Sequence, residues 1–294
     1  MAKTYTLTCL SECTSPLTHA SGTSGNESVI ARAPVSTPRG LVMVPFISGN
    51  AIRHRAIREP GIDWLVNQYE LRGKLSLTTL NFLRHGGNLT ESTANENTAR
   101  IAEMKETWPL IRLLGGSLPN QILAGSLDVW RGELVCEENR AYLSGAFPQC
   151  LPEVRLRPQE SFVGGYQYTR GDAAKSGEAT TEDEVDSNLM IFSGQAISRG
   201  ACFVHGFVAK HVSEIEIGAL LLSLCLWQAG GGTIGGQAAR GHGRLALSLV
   251  GFDGDQDELI GTYIDHAKSM KERAVTWLTE AFTKREKPVK PKKE

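Results

Sequence analysis

The chain has 294 residues, 41% of them hydrophobic and 21% charged, which gives it the apolar material for one sizeable core and excludes a disordered or collagen-like chain. Its formal net charge is −1, so the whole composition does not mark a nucleic-acid binder, and charge has to be read by region. The six cysteines, at 9, 13, 136, 150, 202 and 225, form no C-x-x-C pair, which argues for reduced, packing thiols in a cytoplasmic protein; a zinc site from Cys9, Cys13 and a histidine is the alternative.

In chain order, the start lacks a secretory pattern, and Thr4–Leu10 alternates as a strand should, with Tyr5, Leu7 and Cys9 on one face. Ser11–Gly40 is rich in Ser, Thr, Gly and Pro and reads as a long loop ending near Arg39. Leu41–Ile47 reads as a second strand. Ser48 is a good helix N-cap, followed by Asn50 and a short helix carrying Arg53, His54, Arg55 and Arg58. Ala51, Ile52, Ala56 and Ile57 fall at helical spacing and face a core, which puts the arginines mainly on the other side. A helix N-terminus attracts anions. The same residues also fit an ordinary solvated basic face, and both readings stand.

Trp64–Leu83 and Thr98–Leu114 have helical periodicity, which predicts a helical insertion at about 61–114. Leu127–Asn139 reads as a strand and turn. Arg155–Tyr168 places Phe162, Val163, Tyr166 and Tyr168 around a Gly-Gly beside two arginines. Residues 172–186 carry six acids against Lys175 and read as a solvated insertion. Leu189–Ile197 and Gly200–Val208 are predicted to pair as a hairpin, with a helix over Glu214–Gln228 to follow. Its apolar run, Ile217–Trp227, is too short to span a bilayer. Strand Arg244–Phe252, helix Gln256–Lys284 and a disordered basic tail, 284–294, close the chain. These elements predict an α+β fold, a β-α-β-β-α-β plan of the ferredoxin-like or RNA-recognition-motif type, as a single domain.

Gly230–Leu245 (GGGTIGGQAARGHGRL) holds seven glycines and two arginines. Gly230, Gly232 and Gly235 satisfy G-x-G-x-x-G by letter. The dinucleotide fingerprint needs a strand before the loop and a helix after it, and here the order is helix, loop, strand. Glycines 235 and 236 with Gln237, Arg240 and Arg244 suit a polyanion held by backbone N–H groups and guanidinium; a flexible connection is the plain alternative. Residues 39–84 carry seven Lys/Arg against three acids, a stretch that could follow a phosphate backbone.

Pro45–Arg53 (PFISGNAIR) resembles the first strand-to-helix step of the RAMP superfamily of CRISPR systems. Gly230–Leu245 is similar to that superfamily's glycine-rich loop, and Leu127–Asn139 (LDVWRGELVCEEN) resembles a strand and turn of the group that forms the backbone of effector complexes, the type IV form being nearest. The resemblance implies a RAMP-type fold. It also implies a guide RNA (crRNA) bound by several copies of the chain together with other effector subunits, and target nucleic acid engaged by base pairing, with no membrane and no cofactor. It assigns the RNA-binding role to Arg39, Ser48, Asn50, Arg53, His54, Arg55, Arg58, Gly235, Gly236, Gln237, Arg240 and Arg244. It makes the segment at about 155–188 a thumb-like hairpin whose Phe162, Val163 and Tyr166 contact bases.

Superfamily members that cut target RNA use an aspartate between the first strand and first helix. Ser11–Gly40 has none, its acids being Glu12 and Glu27. His19 and His54 are the candidate bases for RNA processing. The chain is therefore expected to be a non-catalytic scaffold, with an RNA endonuclease of the same superfamily as the alternative and a nucleotide-dependent enzyme as a weaker third class. No metal motif is present.

Overall fold

The computed structural model describes residues 2–24, 27–90, 97–151, 156–170 and 190–282. In chain order its strands are β1 (Lys3–Cys13), β2 (Ala20–Ser24), β3 (Glu27–Ile30), β4 (Arg32–Thr37), β5 (Gly40–Ile47), β6 (Gly116–Leu118), β7 (Gln121–Leu123), β8 (Leu127–Val129), β9 (Gly132–Leu134), β10 (Val163–Arg170), β11 (Met190–Ile197), β12 (Cys202–Val212) and β13 (Leu245–Val250).

β1 runs antiparallel to both β13 and β12, and β12 pairs on its far side with β9 and β8. The order β13–β1–β12–β9, with one core helix between β5 and β8 and another between β12 and β13, is the ferredoxin-like βαββαβ arrangement. β5 and β4 extend the sheet beyond β9. The alternation of β1 explains its place: Leu7, Cys9, Ser11 and Cys13 are all buried, while Glu12 is exposed. The one polar member of that row, Ser11, shares a hydrogen bond of 2.8 Å with Nε2 of His205 on β12.

The helix Glu214–Ala229 opens with a capping box: the Ser213 side chain and the Glu216 carboxylate satisfy each other's backbone amides. It buries Ile217, Leu220, Leu221, Leu224 and Trp227, each worth about 1.5–3 kcal/mol of transfer free energy. It packs against helix 49–68 and against the long helix Gln256–Phe282. The long helix is tied to the helical segment before β6 by indole bonds: Trp108 Nε1 donates to Ala274 O, and Trp277 Nε1 to Arg100 O. That segment comprises Leu77–His85, Thr98–Thr107 and Pro109–Leu114.

Three expectations are corrected. Ser11–Gly40 is not a loop: it carries β2, β3 and β4, and β4 pairs with β5 over a turn at Pro38 and Arg39. β11 does not pair with β12. It pairs with β10 and β3 in a second sheet, ordered β10–β11–β3–β2. The second core strand is supplied instead by β8 and β9, inside the LDVWRGEL run. The acidic stretch 172–186, Arg155 and the tail 284–294 lie outside the described residues. The helices of the described residues include none long and apolar enough to cross a membrane.

Candidate nucleic-acid interface

The helix after β5 starts where the sequence predicts. Ser48 is extended (ψ 141°), and its side chain accepts from the Ala51 amide at 3.2 Å. Gly49 is needed for close packing, because a Cβ there would lie 2.7 Å from the Val129 carbonyl oxygen of β8. The helix then widens into a π-helical turn over Arg53–Arg58 before continuing as Glu59–Gln68. Pro60 accounts for it. A proline donates no hydrogen bond and its ring crowds the carbonyl four residues back, so the ladder slips, and the Glu59 amide reaches His54 O, five residues back.

The extra residue turns every later side chain by roughly 100°, and this corrects the expectation for Arg58. Its side chain is buried and points inward. It donates to the carbonyls of Phe82 (3.4 Å), Leu83 (3.1 Å) and Gly115 (2.9 Å), at the C-terminal ends of two helices. Burial, with a smaller push from Arg53, lowers its pKa to about 10, so it stays charged at neutral pH. Arg58 is a structural cation and not a phosphate contact.

The neighbouring basic residues differ. Arg53 is partly buried, its pKa is lowered by desolvation, and its side chain has no ion-pair or hydrogen-bond partner among the described residues. Arg55 is paired with Glu59 at 2.7 Å. His54 stacks on His85 with centroids 5.8 Å apart, and burial lowers its pKa. Asn50 is exposed at the helix start. Arg39 lies in the β4–β5 turn, exposed.

Residues 14–19, between β1 and β2, carry the glycine-rich loop to the helix start. The Gly236 amide donates to Thr18 O at 2.8 Å, and Thr18 Oγ1 returns a bond to Gly236 O. The Gly243 amide donates to Pro16 O, and the Arg244 amide to Ser15 Oγ. One residue on, His19 Nε2 accepts the Ser48 amide at 3.1 Å. The two motifs, nearly two hundred residues apart in sequence, are thus held side by side.

Within the loop Gly235 has φ +82°, and a Cβ there would overlap the Thr18 carbonyl oxygen. Gly236 is exposed, and a Cβ there would meet only that oxygen, at 3.9 Å. Gln237 takes φ +64° ahead of a short 3-10 turn, Ala238–Arg240. The amides of Gln237, Ala238 and Ala239 have no acceptor among the described residues, so this turn offers N–H groups to an anion. The exposed Arg240 donates to Gln237 Oε1, and its guanidinium lies over the Tyr168 ring, 3.8 Å from the centroid. Arg244 is exposed, and among the described residues only its backbone has hydrogen-bond partners.

On the hairpin, Phe162 is buried beneath the Arg157 guanidinium, 4.7 Å from the ring centroid. It is a packing residue and cannot wedge between bases as it stands, which corrects the expectation for Phe162 alone. Val163 is half-buried, packed against the core. Tyr166 is half-buried and belongs to a row that includes Tyr168, Phe192 and His242. Tyr168 and His242 were not among the expected site residues. The i, i+2 spacing of Tyr166 and Tyr168 is the signal for the first, and the glycines flanking His242 are the signal for the second.

His19 is half-buried, its pKa is lowered by desolvation, and its Nε2 is already engaged by Ser48. Cys9 and Cys13 face the core of β1, and burial pushes both thiols up to about 12. Among the described residues no group of three or more His, Cys, Asp or Glu side chains is placed to hold a metal ion.

No family model matches the chain, and no curated protein matches it in sequence. In fold it is similar to a chain of a solved "Type IV-B CRISPR Complex", with a TM-score of 0.56 and 16% identity over 85% of this chain and 92% of that one. At this identity the likeness is one of fold, and it accords with the α+β, ferredoxin-like core described above.

Proposed function

We propose that the protein is a non-catalytic backbone subunit of a CRISPR effector complex, binding single-stranded guide RNA and presenting it for pairing with a target nucleic acid. The observation that carries this reading is that residues 14–19 bond both to the Ser48 helix start, which leads into Arg53, and to the glycine loop with Arg240 and the amides of residues 237–239, which have no acceptor among the described residues. Backbone N–H groups and arginines offered together suit phosphates, and phosphate contacts carry no base code. The fold likeness to a chain of a type IV-B complex supports the same reading. Copies of the chain would join head to tail, and heterologous contacts that do not close extend into open helical assemblies along the RNA. Other effector subunits would complete the particle.

Purified protein incubated with end-labelled RNAs of increasing length tests this. The proposal expects every RNA to be bound uncut, with a light-scattering mass that grows with RNA length. Shortened RNA would make the protein a nuclease of the same superfamily, and indifference to RNA would point to neither.

A further inference from the structure

The exposed Arg240 does not sit alone on its loop. Tyr166 and Tyr168, two apart on β10, present their rings on one face, parallel to within 4° and 6.3 Å apart. Phe192, directly across on β11, stacks on Tyr168 at 5.2 Å. Gly194, the partner of Tyr166, leaves the space into which that ring lies, since a Cβ there would be 2.6 Å from it. His242 closes the row edge-on to Tyr166 at 5.2 Å. Arg240 and His242 come from the glycine loop, the other three from the second sheet. Leu17 and Ile197 exchange backbone hydrogen bonds of 2.8 Å, fixing that sheet against the segment that also holds Gly236.

A guanidinium carries its five N–H donors in its plane and offers its faces to aromatic rings. The Arg240 guanidinium carbon lies over the Tyr168 ring, and Gln237 Oε1 takes one of its donors. The remaining donors have no acceptor among the described residues. An arginine free in solvent loses much rotamer freedom when it pairs with a phosphate, and one already held loses less.

We propose, resting on the RNA-binding reading above, that Tyr168 is a positioning residue. Its ring holds the Arg240 guanidinium flat against the β10–β11 hairpin, so that the glycine loop and the hairpin act as one preorganised phosphate clamp. Tyr168 touches no phosphate itself. Its effect on RNA passes through Arg240.

The test is a double-mutant cycle read by binding of labelled oligouridylate, with thermal melting of every variant. Tyr168→Leu keeps bulk and removes the ring, while Tyr168→Phe keeps the ring and removes the hydroxyl. The proposal expects Tyr168→Leu to weaken binding about three- to tenfold, the size of a partly exposed cation–π contact. Tyr168→Phe should bind like wild type. Tyr168→Leu with Arg240→Ala should bind no worse than Arg240→Ala alone. Losses that multiply would make Tyr168 an independent RNA contact and overturn the proposal, as would a Tyr168→Leu protein that melts and binds like wild type. A wild type that ignores oligouridylate would instead overturn the RNA-binding reading beneath it.

Discussion

His19 Nε2 accepts the Ser48 amide at 3.1 Å, so the neutral imidazole, protonated on Nδ1, completes the N-terminus of the first core helix. Desolvation lowers the His19 pKa below its ordinary 6.5. The unfolded chain therefore takes up this proton at a higher pH than the folded one. The stability that neutral His19 contributes is whole above about pH 6.5 and falls as pH drops from there toward the folded value. Protonation also removes the acceptor and sets a cation at the positive end of a helix. A His19→Gln variant, whose carbonyl can still accept, is expected to lose less melting temperature than wild type between about pH 7 and pH 5. Equal losses would show that His19 does not titrate in this contact.

His205, fully buried on β12, is held to about 4 by desolvation, with Ser11 as its partner and Nδ1 buried without one among the described residues. The same sign holds. Its contribution is lost from about pH 6.5 downward and amounts to about 3 kcal/mol once pH reaches 4. His205→Gln should flatten the acid limb of the stability curve measured by denaturant titration. An unchanged acid limb would count against this group.

Arg58→Ala removes the side-chain donor of the Leu83 and Gly115 carbonyls, while Phe82 O keeps the Gly86 amide, in a site closed to water. The expected loss is about 3 kcal/mol, seen as a lower midpoint in urea. RNA affinity of the folded protein should hold. Were Arg58→Ala to keep its stability and lose RNA, the inward placement would be wrong.

Gly236→Val separates binding from folding. Gly236 has ordinary φ and open space, so the variant should melt like wild type, while its branched side chain stands where an RNA backbone would approach. The expected result is at least tenfold weaker RNA binding, or about 1.4 kcal/mol. Gly235→Val is the opposite control. With φ +82° and the Thr18 carbonyl in the way, it should lower the melting temperature whatever it does to RNA. If Gly236→Val binds normally, the loop is only a linker.

Local features were legible in the sequence. The Ser48 cap, the alternation of β1, the long apolar helix and the glycine loop depend on near neighbours, and each stands where its pattern puts it. Partners across the chain were not. Strand periodicity says that residues 190–197 are extended, but not that β10 and β3 pair with them. β8 and β9, three residues each, are too short to show a period. β2, β3 and β4 were hidden because Ser, Thr and Gly read as loop when their burial depends on distant strands. Arg58 was misjudged because helical spacing of 3.6 cannot foresee the slip that Pro60 imposes two residues later. The set proposed to face RNA was legible as two motifs. Their junction through Thr18 and His19, and the engagement of Arg240 by Tyr168, came from the fold.

If this face holds RNA by its phosphates, as proposed, binding must depend steeply on salt. For single-stranded RNA the logarithm of the binding constant should fall linearly with the logarithm of salt concentration, by about 0.7 for each phosphate neutralised. Oligouridylate and oligoadenylate should give nearly the same slope. Arg53→Ala and Arg240→Ala should each make it shallower by about 0.7 while lowering affinity. A slope near zero, or one unchanged in both variants, would contradict the account.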